Sequence, residues 1–205
     1  MLQTNVLQPR TLDILKKVMG NPAFSQYILV GGTALALKMG HRLSIDLDFF
    51  SFQPIDHEAI KIELEQIGVL SENYRNKIML RVDVDAVRMD FVTYKFDLLK
   101  PLIVSDGIRM ASVEDICGMK FEAIKNRGLK KDFYDLYFLL KEFSIKDMLK
   151  FHASKYPGTN QFQMLMSLRY FDDADKSESP VLLKDKNVSW QNVKKVIEDA
   201  LKSVM

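Results

Sequence analysis

Alternation of apolar and polar residues, the mark of a half-buried strand, crowds into the first ~110 residues of this chain, and helical spacing takes over from Ser112. The strand signals fall at residues 27–30, 44–50, 78–82, 87–93 and near 108–110. Between them lie helical patterns at 11–19, at 34–39 up to Gly40, and at 55–67 up to Gly68, the last carried by Ile55, Ala59, Ile62 and Ile67. Asp83-Val84-Asp85 has the length of a hairpin loop. The second half reads as helices at 113–127, 132–142, 145–154, 160–170 and 189–203, with residues 172–180 as an exposed acidic and Ser-rich loop. This order predicts an α+β chain: a mixed-sheet domain over 1–111, then a helical domain over 112–205.

With 47% hydrophobic residues the chain can bury a sizeable core, and its net charge of +2 sets up no overall field toward nucleic acid or membrane. Charge is nonetheless uneven. Residues 116–131 hold Lys120, Lys125, Arg127, Lys130 and Lys131 against Glu122 alone, a block that binds phosphate or is simply solvated. A single cysteine, Cys117, excludes an internal disulfide and reads as a small core residue on a helix. The N-terminus lacks a signal peptide, and no stretch reaches the ~18 apolar residues of a membrane span, so a soluble cytoplasmic protein is expected.

Chemistry concentrates in 27–48. In Ser44–Phe50, Ile45, Leu47 and Phe49 face one way, and Ser44, Asp46 and Asp48 the other. Asp46 and Asp48 would then share a face about 7 Å apart along the strand. Like charges so close repel unless a cation lies between them, and hard oxygen ligands suit Mg²⁺. The plain alternative is two solvated acids on an exposed face. Upstream, the strand YILV runs into Gly31-Gly32-Thr33 and a helix, whose unpaired N–H groups could cradle phosphate; Thr33 could equally be only a cap. Asp90 sits among apolar neighbours in VRMDFV, where an acid needs a partner. It would complete a two-metal site or pair with an arginine such as Arg88 or Arg109.

LVGGTALALKMGHRLSIDLDFF resembles the signature of the polymerase-β-like nucleotidyltransferases, and more narrowly that of the abortive-infection toxin family AbiEii/AbiGii. In that family a Gly-Gly or Gly-Ser turn precedes an Arg-x-Ser/Thr-x-Asp-x-Asp strand, which Arg42 to Asp48 fits without a gap. A later motif, Lys and Arg on a helix followed by Lys/Arg-Asp-x-x-Asp-Leu, is matched by KFEAIKNRGLKKDFYDLYFL. The likeness spans about residues 27–140. It implies that Asp46 and Asp48, with Asp90 as third acid, hold Mg²⁺ or Mn²⁺, and that Gly31, Gly32 and Thr33 hold the triphosphate, beside Arg42 and Ser44. Lys120, Arg127, Asp132 and Asp135 fall in or beside the later motif. The resemblance further implies transfer of a nucleoside monophosphate from an NTP to a macromolecular hydroxyl, such as a tRNA 3′ end, by a toxin whose antitoxin is of winged-helix type. A catalytically silent nucleotide-binding regulator and a protein phosphotransferase or nucleotidylating enzyme are the alternatives.

On the helix at 113–127, Val113, Ile116, Cys117, Ala123 and Ile124 form one stripe that also contains Lys120 and Arg127; Glu114, Asp115, Gly118, Glu122 and Lys125 lie opposite. A lysine inside an apolar stripe needs a partner or a cleft. Lys120 could meet phosphate where the two halves close on a cleft, snorkel to the stripe's edge, or pair with Asp132 or Asp135. His41 could touch phosphate or cap the preceding helix, and His57 and His152 read as surface residues. No zinc spacing is present.

Overall fold

The computed structural model describes residues 1–204 and is α+β. Its chain divides into two compact units: Met1–Phe96 with Pro101–Ala111, and Asp97–Lys100 with Ser112 onward.

The first unit carries α1 (Pro9–Gly20), β1 (Ile28–Val30), α2 (Gly31–Met39), β2 (Leu47–Ser51), α3 (His57–Glu65), β3 (Leu70–Asn76), β4 (Met79–Val84), β5 (Val87–Thr93), β6 (Ile103–Ser105) and β7 (Ile108–Met110). Its seven strands form one sheet in the order β3-β4-β5-β2-β1-β7-β6. β2 runs parallel to β5, and β1 parallel to β7; the remaining pairs are antiparallel. Alternation sorts the two faces. Leu47 and Phe49 of β2, Leu80 and Val82 of β4, and Met89 and Phe91 of β5 are all fully buried. Phe91 gathers Phe49, Tyr27 and Phe24 around it at ring distances of 5.0, 5.2 and 5.7 Å. The opposite face therefore receives Asp48, Arg81 and Asp90, all half-buried.

Several local expectations need correction. β2 starts at Leu47, so the alternation does not extend back to Ser44, and Ile45 is 62% exposed on a non-strand segment. On α3 the inward residues are Ile60 and Leu64, while Ile62 is exposed. The β4–β5 hairpin turns on Asp85 and Ala86 alone, both at positive φ (52° and 66°), the conformation of a primed two-residue turn. Val84 thus belongs to the strand. β3 carries no strand signal because LSENYRN buries no face: six of its seven residues are exposed, and it pairs on one side only. β6, three residues at the other edge, likewise shows no alternation.

The second unit carries α4 (Val113–Arg127), α5 (Lys130–Leu139), α6 (Ile145–Lys155), α7 (Gln161–Ser167), α8 (Asp172–Asp175) and α9 (Trp190–Lys202). Residues 172–175 are thus a short helix seated on buried Ala174 rather than part of an exposed loop. α4 is buried on most sides, because α5, α6 and α7 all pack on it. Asp115 and Gly118, expected to face outward, are inside. Lys155 of α6 lies over Gly118 and pairs with Asp115 at 2.7 Å, both side chains at 0% exposure. Asp115 also accepts from the Leu99 and Lys100 amides and the Ser112 hydroxyl, so the buried charge is fully engaged. His152 is buried, not on the surface, and bonds Glu122 at 2.8 Å; burial lowers its pKa despite the pull of that carboxylate. Cys117 is buried too, and desolvation raises its thiol pKa, which removes it as a nucleophile. No helix among the described residues is long and apolar enough to cross a membrane.

Candidate active site

β1 ends at Val30 and α2 begins at once on Gly31, so the N-cap residue is Val30, which offers no side-chain cap. Gly31 has φ +69°, and a Cβ placed on it would come within 2.2 Å of the Asp48 Oδ2. The Asp48 carboxylate therefore fills the space a side chain at 31 would need. Gly31→Ala is expected to cost ~1–2 kcal/mol from the left-handed conformation alone, more once Asp48 is displaced, and to lower the melting temperature. Gly20→Ala, where nothing lies within 4 Å, serves as the control. Equal melting temperatures for the two variants would show that residue 31 is not constrained.

Asp48 and Asp90 are direct register partners across the parallel β2–β5 pair, so their side chains leave one face from strands about 4.8 Å apart. Asp46 precedes β2 and is fixed through its backbone. The Thr33 hydroxyl donates to the Asp46 carbonyl and is hydrogen-bonded to the Ser44 hydroxyl at 2.8 Å. Arg42 Nη1 reaches Ser44 Oγ at 3.5 Å and the Leu43 carbonyl at 2.9 Å. Thr33, Arg42 and Ser44 are all buried, as is His41. These residues brace the segment that presents Asp46 instead of lining an open surface.

The partner of Asp90 is Arg81, not Arg88 or Arg109. Arg81 Nε and Nη2 lie 2.7 and 2.6 Å from the two Asp90 oxygens. Arg88 faces Asp83 at 3.6 Å, and Arg109 caps the Met19, Phe24 and Tyr27 carbonyls. The Asp90 hydrogen bond raises the Arg81 pKa against partial burial, and the charges of Asp90, Asp48 and Asp46 add to it. One guanidinium thus feels all three acids. No three His, Cys, Asp or Glu side chains among the described residues are grouped to hold a metal ion. Asp46 and Asp48 are a pair of hard oxygen donors on one segment. That set fits Mg²⁺, which binds through one or two carboxylates and takes further oxygens from phosphates and water.

In the second unit, Lys120 Nζ lies 2.9 Å from Asp132 and 2.5 Å from Asp135, with side-chain exposures of 5, 0 and 0%. Arg127 approaches Asp132 at 3.4 Å. Burial pushes the Asp132 pKa up, but Lys120 and Arg127 outweigh it and hold it below the usual carboxylate range. Lys125 pairs with Glu122 at 2.6 Å. Much of the positive block of 116–131 is therefore spent on internal pairs.

A family model described as "Nucleotidyl transferase AbiEii toxin, Type IV TA system" matches residues 13–203. The chain belongs to the AbiEii family. An uncharacterized protein of Aquifex aeolicus (strain VF5) is 32% identical over 205 residues, covering 97% of this chain and 98% of its own. Solved structures share the AbiEii chain's fold at low identity. JHP933 of Helicobacter pylori matches at 17% identity and TM-score 0.53, over 97% of this chain and 94% of its own. A putative nucleotidyltransferase from H. pylori matches at 18% and 0.51, over 96% and 95%. MenT4, a nucleotidyltransferase toxin of Mycobacterium tuberculosis H37Rv, matches at 17% and 0.52, over 95% and 86%. AbiEii membership makes this chain a nucleotidyltransferase of the toxin–antitoxin type, in a family whose members typically need a metal and an NTP.

Proposed function

We propose that the chain transfers a nucleoside monophosphate from an NTP to a hydroxyl of a macromolecule, an RNA such as the 3′ end of tRNA, and that a winged-helix antitoxin restrains it. The observation that carries this reading is the seating of the Asp48 carboxylate against Gly31, at the start of α2 and in register with Asp90. Asp46 and Asp48 would hold Mg²⁺ or Mn²⁺. When bound, the ion polarises the α-phosphate and neutralises charge on the triphosphate. The first N–H groups of α2 would then donate to phosphate oxygens, and the Thr33–Ser44–Arg42 brace keeps Asp46 in place. In the transfer, the acceptor oxygen bonds the α-phosphorus, the bond to the bridging oxygen breaks, and pyrophosphate leaves. The acceptor proton passes to an acid of the cluster.

Incubation of the full chain with total RNA and each NTP, α-labelled or γ-labelled in parallel, tests this. Label on RNA is the expected result. Label on protein would favour protein nucleotidylation, and label appearing only from γ-labelled NTP would favour phosphotransfer. No transfer from any NTP would leave a nucleotide-binding regulator and overturn the proposal.

A further inference from the structure

We propose that Arg81 is a resident cation of the acid cluster: it holds Asp90 while no divalent ion is bound and yields Asp90 when one arrives. This rests on the nucleotidyltransferase reading for the purpose of the acids, and on geometry for the exchange. Asp90 lies on β5, between β4 and β2, with Arg81 as its register partner on one side and Asp48 on the other. It therefore stands between a guanidinium and a second carboxylate. Arg81 now takes both of its oxygens in a two-pronged contact, the strongest arrangement available to a guanidinium. A dication shared by Asp48 and Asp90 would sit within a few ångströms of that guanidinium, and the two cations repel. Asp90 is fixed on an inner strand, whereas the Arg81 side chain is 39% exposed and long enough to swing away. The movable cation is the one that leaves, and once free its fork can meet a phosphate.

The pair also bears on how Asp48 and Asp90 share one face of the sheet. Arg81 sets a positive charge beside Asp90, which is register partner to the like-charged Asp48 across β2–β5. A purely structural salt bridge would show the same distances, so the distinction lies in competition.

Mn²⁺ titrated into the nucleotide-free full chain, followed by calorimetry, reads that competition directly. Arg81→Met, which keeps the apolar stem, is expected to bind Mn²⁺ about tenfold tighter than wild type, the scale of removing one nearby like charge. Asp90→Asn should cost more Mn²⁺ affinity in the Arg81→Met background than in wild type. Arg81→Lys, charged but unable to span both oxygens, should fall between, and it answers the question if Arg81→Met does not fold. Equal Mn²⁺ affinity in wild type and the Arg81 variants would overturn the proposal and leave a structural pair. If those affinities are equal while label transfer persists, only this inference falls. Absence of Mn²⁺ binding in every variant overturns it together with the metal reading.

Discussion

Asp48→Ala should lower nucleotide transfer by about a thousandfold or more, the scale of losing a charge-stabilising group from a metal-assisted step. Its fold should hold, with a melting temperature equal to or slightly above that of wild type. The carboxylate lies on a half-buried face beside Asp90 and against Gly31, not in the core built around Phe91. Its removal relieves like-charge crowding and deletes little apolar packing. Transfer within tenfold of wild type, in folded protein, would place the chemistry elsewhere.

Lys120→Met should produce the largest change in stability, about 3–5 kcal/mol, because it leaves buried carboxylates without their shared ammonium. For a chain of this size that is a fall in melting temperature on the order of 10 °C. The loss should shrink as pH falls toward 4. In wild type the folded Asp132 pKa is depressed, so its contribution is present above the unfolded carboxylate range and lost below it. In the variant, burial without Lys120 raises the folded pKa, which favours the folded state at low pH. Both effects close the gap in acid, and a gap independent of pH would rule out the carboxylate explanation. Lys125→Met removes only a part-exposed pair with Glu122 and should cost less than ~1 kcal/mol. The family resemblance also implies a direct role for Lys120. Transfer lost at low temperature, where Lys120→Met is folded, would count for that role.

Much of this architecture was legible because burial writes itself into sequence. β5 and β7 lie where alternation placed them, and α4 runs from Val113 to Arg127 as the spacing predicted. Gly40 and Gly128 end their helices in left-handed conformation, as a helix C-cap asks. Elements without a buried face left no such trace, and β3 is the clearest case. The acids were legible as types, but their arrangement was not. A loop drawn at 83–85 hid the pairing of residue 81 with residue 90; with the turn at Asp85-Ala86, the register Val84↔Val87, Asp83↔Arg88, Val82↔Met89 leads directly to Arg81↔Asp90. A loop centred on Val84 would set residue 81 opposite residue 87, and so concealed that Arg81 meets Asp90. The outward face predicted for α4 failed for another reason. Asp115 and Gly118 are buried by α6, some thirty-five residues downstream, and periodicity within one helix carries no information about a third neighbour.

The strap formed by Asp97–Lys100 bears on how the protein is made. The chain leaves the sheet-bearing unit after Phe96, lends four residues to the helical one, and returns at Pro101 for the β6–β7 hairpin before leaving again at Ala111. During synthesis, every strand of the sheet has emerged by Met110. The strap amides at Leu99 and Lys100 must wait for Asp115, and that carboxylate in turn waits for Lys155, forty residues later. A ribosome pausing between these points would carry a chain able to finish its sheet while the strap stays unfastened. Completing the helical half is what fastens it.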